Sequence, residues 1–170
     1  MGAVIPYAEL SDIARFARNR KLGIALTIGC FDLLHEGHRY HLENCRFSIG
    51  EECLLVVGIK SDKTVRQIKG EGRPFMDETA RAMSVAALPA VDFVAIIPAN
   101  VAGGRYGLEM VQMLQPDIYF VPPNCQGLAA RLRTCHNAGT NLVLTPRTPP
   151  PGFEGISTTR ILEELKRHNN

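Results

Sequence analysis

Short apolar runs recur along this chain with helix-like stretches between them, and this alternation does most to narrow what the chain can fold into. The runs are Leu22–Ile28 (LGIALTI), Cys53–Val57 (CLLVV), Phe93–Ile97 (FVAII), Ile118–Val121 (IYFV) and Leu142–Leu144 (LVL). Unbroken apolar runs of this length read as strands covered on both faces. Helical patterns fall between them at about 37–47, 77–88, 106–114 and 126–137, the last two ending near Pro116 and Gly139. An amphipathic helix over about 7–18 precedes the first strand, with Leu10, Ile13, Ala14 and Ala17 on one face, and a helix over about 158–167 closes the chain. The pattern predicts an α/β fold, a parallel five-stranded sheet with helices on both faces. Such sheets bind ligands beyond the carboxyl ends of their strands, where the strand order reverses. Functional residues are therefore expected just after Ile28, Val57 and Val121.

One domain accounts for all 170 residues, with residues 1–20 as an N-terminal helical extension. The net charge of +2 is too small for a general nucleic-acid coat, although a local cluster can still hold one small polyanion. No stretch reaches the roughly 18 apolar residues that span a bilayer. The MGAVIPYAELSD start lacks the charged head and apolar run of a signal peptide, and Pro6 breaks the myristoylation pattern. A cytoplasmic protein that engages neither nucleic acid nor membrane is expected. The cysteines, Cys30, Cys45, Cys53, Cys125 and Cys135, are odd in number and form no CxxC pair, which predicts reduced, mostly buried thiols. Pro146–Gly155 (PRTPPPGFEG) is too rich in Pro and Gly for regular structure and reads as a loop.

The segment directly after the first strand carries the chemistry. It reads Gly29-Cys30-Phe31-Asp32-Leu33-Leu34-His35-Glu36-Gly37-His38 and opens a helix. Gly29 lets the backbone turn without a Cβ, and Gly37 permits close approach at the helix start. The first N–H groups of a helix have no partner within it and attract phosphate. His35 and His38, three residues apart, share one face there, and imidazoles can donate hydrogen bonds to phosphate oxygens. Transfer of a phosphoryl or nucleotidyl group chiefly requires positioning and stabilisation of the charge on the transferring group. His41 and Cys45 continue the same helix, but their spacing drifts around it and no second ligand cluster appears, so no metal site is expected.

GCFDLLHEGHRYHLENC resembles the first signature of the nucleotidyltransferase superfamily, whose fold is a Rossmann-like parallel sheet. The resemblance implies that His35 and His38 contact the triphosphate and stabilise the transition state at the α-phosphate. It implies that Gly29, Cys30, Phe31 and Gly37 lie against the nucleotide, and that Asp32 orders the loop or faces the acceptor.

A Gly-rich basic stretch follows the second strand, with Lys60, Lys63, Lys69 and Arg73, and reads as a flexible phosphate clamp. GRPFMDETARAMSVAALPAVDFV is similar to the heptose-phosphate adenylyltransferase branch of the same superfamily. By that match Lys69 is a catalytic cation facing phosphates, and Arg73 and Arg81 lie on the acceptor side. The ending Arg147-Thr148, then Gly155-Ile156-Ser157-Thr158-Thr159, resembles the closing signature of cytidylyltransferases such as the glycerol-3-phosphate enzyme. It implies that Arg147, Ile156, Ser157, Thr158 and Thr159 bind the nucleotide, the hydroxyls gripping phosphate oxygens at a helix start. After the fourth strand the relatives carry a Gly-Asp pair near the base. Here Val121-Pro122-Pro123-Asn124-Cys125 stands instead, with Asn124 as the base's hydrogen-bond partner.

Three functions follow as expectations. The first is transfer of CMP from CTP to a phosphorylated small molecule or phosphonate, with release of pyrophosphate. The second is transfer of AMP from ATP to a sugar phosphate such as heptose 1-phosphate. The third, of another class, is a nucleotide-binding regulatory protein without turnover, motivated by the Pro-Pro-Asn-Cys departure. The resemblance further implies Mg2+ carried by the triphosphate and a homodimer.

Overall fold

The computed structural model describes residues 2–101, 107–145 and 151–168, except the side chain of Lys166. The chain builds one parallel sheet in the order β1-β4-β3-β2-β5-β6. Its strands are β1 (Ala3–Ile5), β2 (Gly23–Gly29), β3 (Cys53–Lys60), β4 (Phe93–Ile97), β5 (Ile118–Val121) and β6 (Asn141–Leu144). The expected α/β class holds, with six strands where the apolar runs indicate five. The sixth, β1, is a three-residue edge strand whose first two residues are exposed, so it lacks the apolar run that marks the others. It pairs Ala3 with Phe93 and brings the N-terminal segment into the sheet rather than leaving it as an appendage.

The helices are α1 (Leu10–Arg20), α2 (Glu36–Ile49), α3 (Asp62–Lys69), α4 (Glu78–Ala86), α5 (Leu108–Leu114), α6 (Leu128–Ala138) and α7 (Thr158–His168). Leu10, Ala14 and Ala17 of α1, Met110, Val111 and Leu114 of α5, and Cys135 of α6 pack with Ile24, Leu26 and Ile28 in one core. Leu42 and Cys45 of α2 and Ala82, Val85 and Ala86 of α4 pack with Ala25, Leu55, Val57 and Ile59 in the other. Alternate residues of β2 thus point to opposite cores, as the period of two in a strand requires. Among the described residues no helix is long and apolar enough to cross a membrane.

Helix α3 occupies the stretch read from sequence as a flexible basic loop. Its N-cap Ser61 accepts from Thr64 N at 3.3 Å, Val65 is buried, Arg66 and Lys69 lie in its last turn, and Gly70 ends it. Only two apolar residues three apart, Val65 and Ile68, mark it in the sequence.

Strand β2 is central, with β3 on one side and β5 on the other. The chain runs outward from β2 through β3 to β4, then crosses back to β5. This reversal leaves a crevice at the carboxyl ends of β2 and β5, the position expected of a ligand site in an open α/β sheet.

Candidate active site

The loop from β2 into α2 is held in an unusual shape. Phe31 and Leu33 both adopt left-handed backbone conformations, with φ of 50° and 49°. For non-glycine residues this stores strain that the surroundings must hold in place. Asp32, between them, supplies the restraint. Its buried carboxylate accepts from Arg73 Nε at 2.8 Å, Phe75 N at 2.9 Å and Met76 N at 3.1 Å, and its carbonyl accepts from the Thr158 hydroxyl. One residue therefore ties the loop to the 73–76 segment and to the start of α7.

The glycines of this loop have local steric causes. A Cβ on Gly29 would lie 2.6 Å from the ring of Phe31, so its absence makes room for that buried ring. A Cβ on Gly37 would lie 3.2 Å from the ring of His35.

His35 is the N-cap of α2, in extended conformation, and its carbonyl accepts from His38 N at 2.9 Å. The two imidazoles stack, with centroids 3.8 Å apart and planes 24° from parallel, and the Phe31 ring packs 5.2 Å from His38. Glu36 adds a negative charge in the same turn, but Arg39 Nε bonds both its oxygens at 2.9 and 3.0 Å. These bonds hold the Glu36 carboxyl below its usual range and offset its charge beside the helix start.

Two lobes of open space meet at His38 and Lys69. The smaller, about 160 Å³, lies between His35, Gly37 and His38 on one side and Ile156, Ser157, Thr158 and Thr159 on the other. The larger, about 300 Å³, occupies the crevice between the ends of β2 and β5. Gly29, Cys30, Phe31, Lys60, Asn124, Cys125, Gln126 and Arg131 line it. Asn124 sits in a turn in which Cys125 N donates to Pro122 O at 3.1 Å. Of the α7 hydroxyls, Ser157 Oγ accepts from Arg160 N at 3.2 Å as a cap and Thr158 donates to Asp32 O, while Thr159 is exposed.

The structure thus brings together His35, His38, Lys69, Gly29, Cys30, Phe31, Gly37, Asn124, Ile156, Ser157, Thr158 and Thr159. Asp32, Arg73 and Arg81, expected on the acceptor side, line neither lobe. Arg81 has 0% of its surface exposed. Its guanidinium donates to Met76 O at 3.0 Å, Lys60 O at 2.8 Å, Asp62 Oδ1 at 2.7 Å and Cys30 O, bracing the ends of β2 and β3. Arg147 lies outside the described residues.

Lys60, read in the sequence as part of the basic clamp, lines the larger lobe from the end of β3. Two polar lining residues, Gln126 and Arg131, belong to no motif read in the sequence. Gln126 and Arg131 come from the turn before α6 and from α6 itself. Arg131 is buried, donates to Gln126 O at 3.3 Å and to the Tyr119 hydroxyl, and lies over the Tyr119 ring.

A stacked histidine pair at a helix start, facing a second helix start with hydroxyls, matches the first and last signatures read in the sequence. The family described as "Cytidylyltransferase-like" matches residues 26–164. The chain belongs to the cytidylyltransferase-like family. Members of this family are nucleotidyltransferases. The bifunctional protein HldE of Koribacter versatilis is 42% identical over 164 residues, which is 95% of this chain and 31% of that protein. HldE of Desulfatibacillum aliphaticivorans is 34% identical over 164 residues, 95% of this chain and 30% of that protein. The chain therefore spans about a third of the length of these curated relatives. Solved structures agree on the fold. A lipopolysaccharide core biosynthesis protein from Thermoplasma volcanium superposes with a TM-score of 0.58 at 23% identity, over 72% of this chain and 93% of that one. The pantoate-β-alanine ligase of Francisella tularensis, complexed with β,γ ATP and β-alanine, gives 0.55 at 13% identity, over 100% and 79%.

Proposed function

We propose that this cytidylyltransferase-like domain transfers AMP from ATP to the phosphate of a sugar phosphate and releases pyrophosphate. The observation that carries nucleotidyl transfer is the convergence of His35, His38, Lys69 and Ser157–Thr159 on one space. The β- and γ-phosphates fit the smaller lobe, where helix-start N–H groups, hydroxyls and Lys69 meet them. The nucleoside and the acceptor share the larger lobe, and the α-phosphate falls at the junction, beside His38 and Lys69.

An acceptor phosphate oxygen attacks the α-phosphorus in line. The new bond forms as the bond to the β-phosphate oxygen breaks, and pyrophosphate leaves with the electron pair. His35 and His38 donate hydrogen bonds to the transferring group, where charge builds up, and Lys69 offsets the charge of both partners. Among the described residues neither lobe is lined by a carboxylate, and the Asp32 carboxylate is already engaged. This donor set fits magnesium held by the triphosphate oxygens rather than by protein ligands, and the ion would neutralise part of the triphosphate's charge.

The choice of ATP and a sugar phosphate is supported by the HldE relatives and by the GRPFMDETARAMSVAALPAVDFV stretch. Cytidylyl transfer from CTP is the second reading, favoured by the Ile156-Ser157-Thr158-Thr159 ending. Pyrophosphate release, measured with each of the four nucleoside triphosphates against a panel of phosphorylated acceptors, separates the two. Release with ATP and a sugar 1-phosphate is expected. Release with CTP alone would replace that donor, and binding without release under every combination would contradict nucleotidyl transfer.

A further inference from the structure

Helix α2 carries the histidine pair, and its apolar contacts through Leu42 and Cys45 are non-directional, so they do not by themselves fix its rotation about its own axis. Directional contacts do. At its far end Arg46 donates to Ala90 O at 3.0 Å and Cys53 O at 2.8 Å and pairs with Asp92. Toward the catalytic end stands His41, only 2% exposed and one turn beyond His38. Its Nε2 lies 3.1 Å from Thr27 Oγ1, and Thr27 in turn donates to Phe120 O at 3.2 Å. Thr27 and Phe120 are register partners on β2 and β5, the strands whose ends open into the larger lobe.

A threonine hydroxyl has one proton, and Phe120 O can only accept, so both contacts are hydrogen bonds only when that proton goes to Phe120 O. In that arrangement the same oxygen accepts from His41, whose Nε2 carries the proton. Cys45 Sγ, 3.8 Å from the same nitrogen, is a weaker second acceptor. We propose that His41, protonated at Nε2, is a positioning residue that locks the rotation of α2 through Thr27 to β2 and β5, and so sets where His35 and His38 stand beside the ligand. The proposal rests on the nucleotidyl-transfer reading for its effect on turnover, but not for the protonated nitrogen or the ring geometry.

The test uses the whole chain. Nitrogen NMR of the wild-type protein should show His41 Nε2 as the protonated ring nitrogen, and an unprotonated Nε2 would overturn the proposal. His41→Phe keeps the ring's bulk and removes the donor, whereas His41→Gln keeps a donor at similar reach. His41→Phe should shift the ring resonances of His35 and His38 in the ligand-free protein and lower kcat about 10-fold, with KM for the triphosphate within about two-fold, as a misplaced catalytic group requires. His41→Gln should restore most of both. Thr27→Val should act like His41→Phe, and the double variant should be no worse than either alone, because one link is broken in all three. Unmoved His35 and His38 resonances in His41→Phe would overturn the proposal without turnover being measured. Absence of pyrophosphate release by the wild type would sink the functional reading and leave the NMR tests decisive.

Discussion

In the smaller lobe, His35, His38, Lys69 and Thr159 line open space. A few residues away, Asp32, Arg73 and Arg81 carry charges as strong, yet their bonds run to backbone carbonyls, backbone N–H groups and each other's segments. Both groups come from motif-bearing stretches, and both contain residues whose type suggests phosphate chemistry. The difference is that one set holds the loop in its strained shape and the other lines the space beside it, where the proposed chemistry would take place. Substitution in the first should unfold the protein, and substitution in the second should silence it while leaving it folded.

The largest effect is expected from Arg81→Met. It leaves the Asp62 carboxylate and the carbonyls of Cys30, Lys60 and Met76 without their donor, and a half-broken buried ion pair costs about 3–5 kcal/mol. Chemical denaturation should show that loss, and a variant as stable as wild type would place Arg81 outside the brace. His38→Ala comes next. Its kcat should fall about 10²-fold or more, with the denaturation midpoint little changed. Near-normal turnover would remove His38 from the chemistry, and a collapse in stability would merge the two groups of residues.

Thr158 lies on the boundary between them, since it lines the lobe yet spends its hydroxyl proton on Asp32 O. Thr158→Val should lose about 1 kcal/mol of stability, seen as a midpoint lower by about 2–4 °C. An unchanged midpoint with weakened triphosphate binding would move Thr158 wholly to the ligand side. The smallest effect concerns the thiols. None of the five cysteines forms a disulfide, and Cys30 and Cys125, half-buried, line the larger lobe. The Cys53 thiol is pushed up to about 11 by burial, with the Asp117 charge adding to it, and burial also pushes up Cys135. Near pH 8, alkylation followed by mass spectrometry should label Cys30 and Cys125 before Cys53 and Cys135, and bound triphosphate should slow the first pair. Equal rates, or no protection, would separate Cys30 and Cys125 from the nucleotide cavity.

The division between the two groups marks where the sequence stops being legible. Strands β2 to β5 stand out because a strand buried on both faces must be apolar throughout, whereas the edge strand β6 keeps an apolar run although none of its residues is buried, and β1 is short and half-exposed and leaves no such trace. Helix α3 escaped because its exposed face dominates its composition, although Ser61 and Gly70 mark its ends. The histidine segment and the Ser-Thr-Thr turn are legible because few sequences place such residues at a strand end and a helix start. Arg81 is not, because a buried arginine that bonds carbonyls and a ligand-facing arginine are the same letter. Gln126 and Arg131 join the cavity only because β2 and β5 are neighbours, which is a property of strand order rather than of local pattern.

The central claim is that one triphosphate bridges the two helix starts. A crystal structure with a non-hydrolysable ATP analogue tests it most directly. The β- and γ-phosphates should lie between the His35–His38 pair and Ser157–Thr159, with the α-phosphate beside His38 and Lys69. A triphosphate bound elsewhere, with the space between α2 and α7 left to solvent, would contradict it.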